Sequence, residues 1–278
     1  MSRLWTTDEI EMLCENSNYY LNNIDIAVEE FRRSKVGIRI KLNRLGLTST
    51  IYKSNQAILN ELRGYIDGLM LSDGSIVNGG ISHAYAYSHG CKYKSWLDKI
   101  SDDLSKYNVE SNVSNGKLVY GFKKGGSIRY LLWTRRYTEF KVMYNRWYKK
   151  WYDIDNYSEI LWHEDEKSIG DFYIWKKTIP KDIFLTPVCV ANWYLGDGNI
   201  KVKDGYTLTI ATMGFLREDI SYLQELLLDV LDIEFNIEKR GILGIYNYHD
   251  ISVFLNYIKN YRVNCYDYKF PERLLSKL

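Results

Sequence analysis

Ile66-Asp67-Gly68-Leu69-Met70-Leu71-Ser72-Asp73-Gly74 and Val190-Ala191-Asn192-Trp193-Tyr194-Leu195-Gly196-Asp197-Gly198 share one plan, an apolar helical run that ends in Asp-Gly. A glycine just past a helix end supplies a left-handed cap, so this plan predicts that Asp73 and Asp197 are each fixed beyond a last helical turn. Two such helices packed side by side would bring the two carboxylates together. The segments downstream of the two motifs repeat as well. After Gly74 come a strand, an Asn78-Gly79-Gly80 turn and a strand in which His83, Tyr85 and Tyr87 alternate with Ala84, Ala86 and Ser88. After Gly198 come a strand over 199–203, an Asp204-Gly205 turn and a strand over 206–212 in which Thr207 and Thr209 alternate with Leu208 and Ile210. Helices predicted over 92–107 and 217–230, further strands (near 109–114, 118–122 and 128–134; near 235–239 and 244–246) and closing helices over 139–149 and 251–261 complete the two copies. The pattern predicts an α+β chain of two αββαββα units, joined through their motif helices into a pseudo-twofold saddle.

The nine-residue pattern resembles the signature of the LAGLIDADG homing endonucleases, with Asp73 and Asp197 where that family keeps its metal-binding acids. Gly68 keeps the small residue of the third position, and Asn192 replaces it in the second copy. Lys177-Thr178-Ile179-Pro180, Leu185-Thr186-Pro187 and Tyr268-Lys269-Phe270-Pro271 resemble single-chain members of the family, of the kind encoded in a yeast mitochondrial intron. The resemblance covers roughly residues 58 to 278. It implies a monomeric homing endonuclease that hydrolyses both strands of double-stranded DNA at a long asymmetric target, with Mg²⁺, for which Mn²⁺ substitutes. It also implies that Lys177 and Lys269 are active-site lysines that orient the attacking water or offset transition-state charge. Phosphodiester hydrolysis at neutral pH suits a site of one or two carboxylates, because Mg²⁺ keeps several waters and completes its shell with phosphate oxygens.

Outside the repeats, Trp5-Thr6-Thr7-Asp8-Glu9 opens with a helix cap signal. Helices are predicted from there, over 24–31 and over about 34–45. The last places Ile38, Leu42 and Leu45 on one stripe and Lys35, Arg39 and Asn43 on another. Three short helices with an early Trp and a closing Leu45-Gly46-Leu47 resemble a Myb-type helix-turn-helix, which implies that Arg39, Asn43 and Lys35 face a DNA groove. The alternative is a protein-contact unit with a solvated basic face. The division expected is 1–53 for this unit and its linker, 54–179 for the first repeat with an insert, and 180–278 for the second. The acidic, aromatic insert over 153–175 has no assigned role.

The chain of 278 residues carries 46% hydrophobic residues, 25 Tyr, 8 Trp and a net charge of +2. The overall charge says little about partners, but nine bases face one acid, Glu139, between residues 123 and 150. That stretch is either a solvated face or a set of phosphate contacts. DNA readout is expected from strand faces turned away from the helices: His83, Tyr85 and Tyr87 in one half, Lys201, Lys203, Thr207 and Thr209 in the other. Four cysteines without close spacing argue against a zinc site or disulfide framework. With no apolar run near the ~18 residues of a membrane span, the expectation is a soluble intracellular protein, in the cytoplasm of a bacterium or phage host or in an organelle matrix. Two other functions fit the same residues: an RNA-binding maturase that has lost cleavage, and a transcription regulator that uses the helix-turn-helix and a noncatalytic saddle.

Overall fold

In the computed structural model, residues 5–45, 56–78, 85–119, 126–137, 139–150, 175–203 and 205–275 are described. The Thr6 hydroxyl accepts from the Glu9 N–H while the Glu9 carboxylate accepts from the Thr6 N–H, the reciprocal box expected from the sequence. Four helices follow: α1 (Thr7–Glu15), α2 (Ser17–Asn22), α3 (Ile24–Phe31) and α4 (Lys35–Arg44). The sequence predicts three. The difference is the short α2, which starts after Asn16 ends α1 with its side-chain amide donating to the Met12 carbonyl. Leu13, Tyr20, Ala27, Phe31, Ile38 and Leu42 form a core of their own, against which Trp5 packs.

The first repeat runs α5 (Gln56–Leu71), β1 (Gly74–Asn78), β2 (Tyr85–Cys91), α6 (Lys94–Ser105), β3 (Ser111–Val113), β4 (Lys117–Val119), β5 (Ser127–Thr134) and α7 (Phe140–Trp147). A two-stranded ribbon of β6 (Tyr148–Lys150) and β7 (Trp175–Lys177) returns the chain to the first unit. Apart from Trp175, the insert lies outside the described residues. The second repeat runs α8 (Pro187–Asp197), β8 (Gly198–Lys201), β9 (Thr207–Ala211), α9 (Arg217–Leu231), β10 (Asn236–Ile237), β11 (Ile242–Ile245) and α10 (Tyr248–Ile258); two 3₁₀ turns and α11 (Glu272–Leu275) follow. Both sheets are antiparallel and wound alike, β1-β2-β5-β3 with β4 also on β5, and β8-β9-β11-β10. Gly74 pairs with His89 and Gly198 with Ile210, so the halves align position by position. No helix among the described residues is long and apolar enough to cross a membrane.

The motif helices α5 and α8 meet backbone to backbone. A Cβ on Gly68 would lie 2.7 Å from the Cys189 Cα and 2.8 Å from its carbonyl carbon, so only glycine fits there. Asn192, where the first copy has Gly68, instead donates 3.1 Å to the Tyr65 carbonyl across the helix pair. A hydrogen bond therefore holds the contact that a small residue makes in the other copy.

Two expectations are corrected. Neither Gly74 nor Gly198 is left-handed; Gly198 has φ −76°. The strand leaves each helix so sharply that a Cβ would strike it, 2.5 Å from the Leu69 carbonyl oxygen at Gly74 and 2.5 Å from that of Tyr194 at Gly198. Glycine is required for close approach, not for a positive φ. In β2 the expected alternation does not appear as burial, since all of Tyr85–Cys91 is buried, and Tyr85 and Tyr87, expected to face outward, are 5% and 0% exposed. Tyr85 packs on Tyr144 of α7, and the Tyr87 hydroxyl bonds the His89 ring at 2.8 Å. Large rings fill the space between sheet and helix, and neither ring is available to a groove. His83 lies outside the described residues.

On helix propensity alone, Gly68→Ala should stabilise α5 by about 1 kcal/mol. The helix contact predicts the reverse, a loss of roughly 1–3 kcal/mol from overpacking. Urea unfolding of the two proteins gives the sign directly.

Candidate active site

Asp73 stands exposed in the turn that carries α5 into β1, and Asp197 is the half-buried last residue of α8. Because α5 and α8 touch along their length, their ends converge. Burial pushes the Asp197 carboxyl up to about 7, and the neighbouring Asp73 adds to the rise; Lys177 and Lys269 oppose it.

Each lysine is held under one motif helix. Lys177, delivered by the last residue of β7, donates to the carbonyls of Ser72 (3.2 Å) and Gly74 (2.9 Å) on either side of Asp73. Lys269 donates to the carbonyls of Tyr194 (3.1 Å) and Leu195 (2.7 Å), just before Gly196-Asp197. In both halves a lysine is thus tied to backbone carbonyls beside the aspartate, at positions flanking Asp73 in one copy and preceding Asp197 in the other. Burial lowers both ammonium groups to about 8, against the pull of Asp197. Such groups are charged at neutral pH yet close enough to it to exchange protons with water. His89, whose ring bonds Tyr87, is pushed down to about 3 by burial and then by Lys177 and Arg129, so it is neutral beneath the site.

Among the described residues no cluster of three or more His, Cys, Asp or Glu is poised for a metal. All four cysteines are free. The acidic groups at this point are two carboxylate side chains, Asp73 and Asp197, hard oxygen donors that repel one another. That set suits a divalent cation that retains waters and takes phosphate oxygens, and not a closed protein cage. A cleft of about 470 Å³ opens beside them, lined by Asp73, Lys92, Arg129, Asn199, Tyr268 and Lys269 among others.

The outer faces of the two sheets flank this point. In the second half, Thr207 and Thr209 alternate with buried Leu208 and Ile210, and Lys201 and Lys203 are exposed, as expected from the sequence. In the first half, the face opposite the tyrosines carries Ser75, Ser88 and Trp133 in one cross-strand row, in which Trp133 is exposed and Ser88 is buried. Asn199, Arg129 and Trp133 are missing from the expected set. Asn199 follows from its register with Thr209, which a strand pattern can reveal. Arg129 and Trp133 could be found only by fixing which face of β5 is outward.

The basic run divides. Arg146 forms a paired bond with buried Asp67, 3.0 Å from each carboxylate oxygen, and also holds Asp182; the Trp147 indole donates to Asp67 at 2.8 Å. It is thus a structural group. Arg135 pairs with Glu110, Arg129 lies in the cleft, and Lys123 and Lys124 fall outside the described residues. In the N-terminal unit, Arg39 is exposed, while Lys35 is bound to Asp25 at 3.0 Å; the side chain of Asn43 is outside the described residues.

Residues 168–248 match the model of the LAGLIDADG DNA endonuclease family. The uncharacterized protein MJ1098 of Methanocaldococcus jannaschii is 27% identical over 184 residues, which span 66% of this chain and 61% of that protein. Among solved structures, the homing endonuclease I-WcaI bound to its DNA recognition sequence superposes with a TM-score of 0.56 at 18% identity, over 82% of this chain and 89% of that one. The N-terminal LAGLIDADG domain of DUF199/WhiA aligns with a TM-score of 0.42 at 15% identity, over 78% and 88%. Paired motif helices, two like-wound antiparallel sheets and the superposition on I-WcaI give this chain the LAGLIDADG fold.

Proposed function

We propose that the chain is a single-chain homing endonuclease that hydrolyses both strands of a long, asymmetric double-stranded DNA target as a monomer. The observation that carries this reading is the convergence of Asp73 and Asp197 with two desolvated lysines, Lys177 bonded to the carbonyls on either side of Asp73 and Lys269 to carbonyls of the last turn of α8. Two acids gathered with two desolvated ammonium groups at the edge of a cleft are the arrangement expected where protons and phosphate charge must be handled. The matched family model over 168–248 and the I-WcaI fold support the same reading. So does the resemblance of the segments around Lys177 and Lys269 to the yeast intron enzyme.

In this proposal Asp73 and Asp197 hold Mg²⁺ or Mn²⁺. When bound, such an ion lowers the pKa of coordinated water and offsets charge on the phosphate. Lys177 and Lys269 then keep their ammonium groups fixed by backbone carbonyls, aimed at the charge that grows on the phosphate. The duplex lies across the outer sheet faces, where Lys201, Lys203, Thr207 and Thr209 contact it. The Myb-like unit, residues 1–53 with its linker, adds contacts outside the saddle through Arg39, Asn43 and Lys35. Repeats over 54–179 and 180–278 supply one acid each.

Asp73→Asn and Asp197→Asn are expected to fold and bind target DNA while cutting slows by on the order of 10²-fold or more, because Asn keeps the shape and loses the charge. Single-turnover cleavage with parallel affinity measurements tests this, and full activity in either variant sinks the reading. Metal-stripped protein should regain cutting with Mg²⁺ or Mn²⁺, and bind without cutting in Ca²⁺. Metal uptake should weaken as pH falls below about 7, where Asp197 takes up a proton in competition with the ion. Removal of residues 1–53 should shorten the footprint on one side and lower the salt slope by roughly one unit per lost phosphate contact, with cleavage at saturating protein retained.

A further inference from the structure

The two halves of the site are unequal at equivalent positions. Since Gly74 pairs with His89 and Gly198 with Ile210, Lys92 in the first half stands where the second has Met213. Since Gly90 pairs with Leu131 and Ala211 with Ile242, Arg129 stands where the second has Arg240. Those two arginines are held differently. Strand β5 runs unbroken from Ser127, and the Arg129 guanidinium lies across Gly90, so close that a Cβ there would be 3.0 Å from Nε. Strand β11 begins only at Ile242. The residues before it fold into a turn closed by the Gly241 N–H on the Glu238 carbonyl at 2.8 Å, with Gly241 at φ 70°. Arg240 therefore leaves the strand and lines a separate pocket of about 300 Å³ with Met213 and Glu238.

We propose that Arg129 and Lys92 form a phosphate clamp on the Lys269 side of the cleft alone, so that the two DNA strands are gripped unequally at the point of cleavage. This rests on the endonuclease reading and adds to it two positioning residues that the motif does not contain. Lys92 and Arg129 line the cleft with Asp73 and Lys269, and both are exposed. No carboxylate among the described residues forms an ion pair with either, whereas Arg146, Arg135 and Lys35 are each engaged by an acid. A guanidinium laid across Gly90 and an ammonium just past the end of the neighbouring strand, 4.7 Å from the centre of the Tyr93 ring, match the oxygens of a phosphodiester. On the other side the Lys177 ammonium lies 5.7 Å from the ring centres of both Trp147 and Phe215, with Met213 where Lys92 would be. That side offers its phosphate neither of these two cations.

The test uses the full chain and a duplex selected by it from a random library in Ca²⁺, with each strand end-labelled in turn. In Mg²⁺, Lys92→Gln with Arg129→Gln should slow cutting of one strand by on the order of 10²-fold, leave the other little changed and let nicked duplex accumulate. Arg129→Lys should recover part of the loss, and Arg240→Gln should do nothing to either strand. Thermal unfolding of the variants checks that they fold. Equal slowing of both strands, or none, overturns the clamp while leaving the endonuclease reading intact. Should the wild-type protein cut neither strand, that reading fails. The clamp is then judged by binding alone: it requires the salt slope of the double variant to fall by about two units, and an unchanged slope overturns it.

Discussion

Everything at the site depends on the contact of two helix backbones at Gly68 and Cys189. A side chain of even one carbon at Gly68 would strike the Cys189 backbone, so α5 and α8 meet backbone to backbone at this point. That closeness brings their C-terminal ends together, and the ends carry the acids. The carbonyls exposed at the same two ends then become the acceptors for Lys177 and Lys269. One steric fact thus places four charged groups.

The helix pair is braced by a buried ionic group. Asp67, 1% exposed, receives both guanidinium nitrogens of Arg146 and the Trp147 indole, and Arg146 continues to Asp182, which Arg63 also engages. The bridge joins α5 and α7 to the segment leading into α8. Burial works against the charge on Arg146, but its bonds to Asp67 and Asp182 outweigh it and raise the guanidinium further. Loss of Asp67 would leave Arg146 to Asp182 alone and the Trp147 indole without its acceptor, and each buried donor so orphaned typically costs about 1–3 kcal/mol. The acid inside the motif is therefore structural, and the acid at its end, Asp73, is left open to the cleft.

Much of this was legible from the residues. The motif repeat, the order of elements and the pairing of Asp73 with Asp197 follow from the Asp-Gly ends and the strand patterns around them. So does the outward face of β9, where threonines alternate with Leu208 and Ile210. The face of β2 was not legible, because Tyr85 and Tyr87 combine large apolar rings with polar tips and suit either side of a sheet. Packing against α7 decides it, and that helix is distant in the sequence. The glycine after each aspartate was found for the wrong reason: steric closeness of strand to helix is invisible in a local pattern that also fits a left-handed cap. Asn192 shows the same limit, since its bond to the Tyr65 carbonyl depends on the partner helix.

The central claim is that Asp73 and Asp197 form one metal site under a duplex that spans both sheets. A crystal structure of the full chain with its selected duplex and Ca²⁺ tests it most directly. The account predicts an ion contacting both carboxylates and phosphate oxygen, with the major groove over Thr207, Thr209 and the row of Ser75, Ser88 and Trp133. A duplex seated elsewhere, or acids that share no ion, would contradict it.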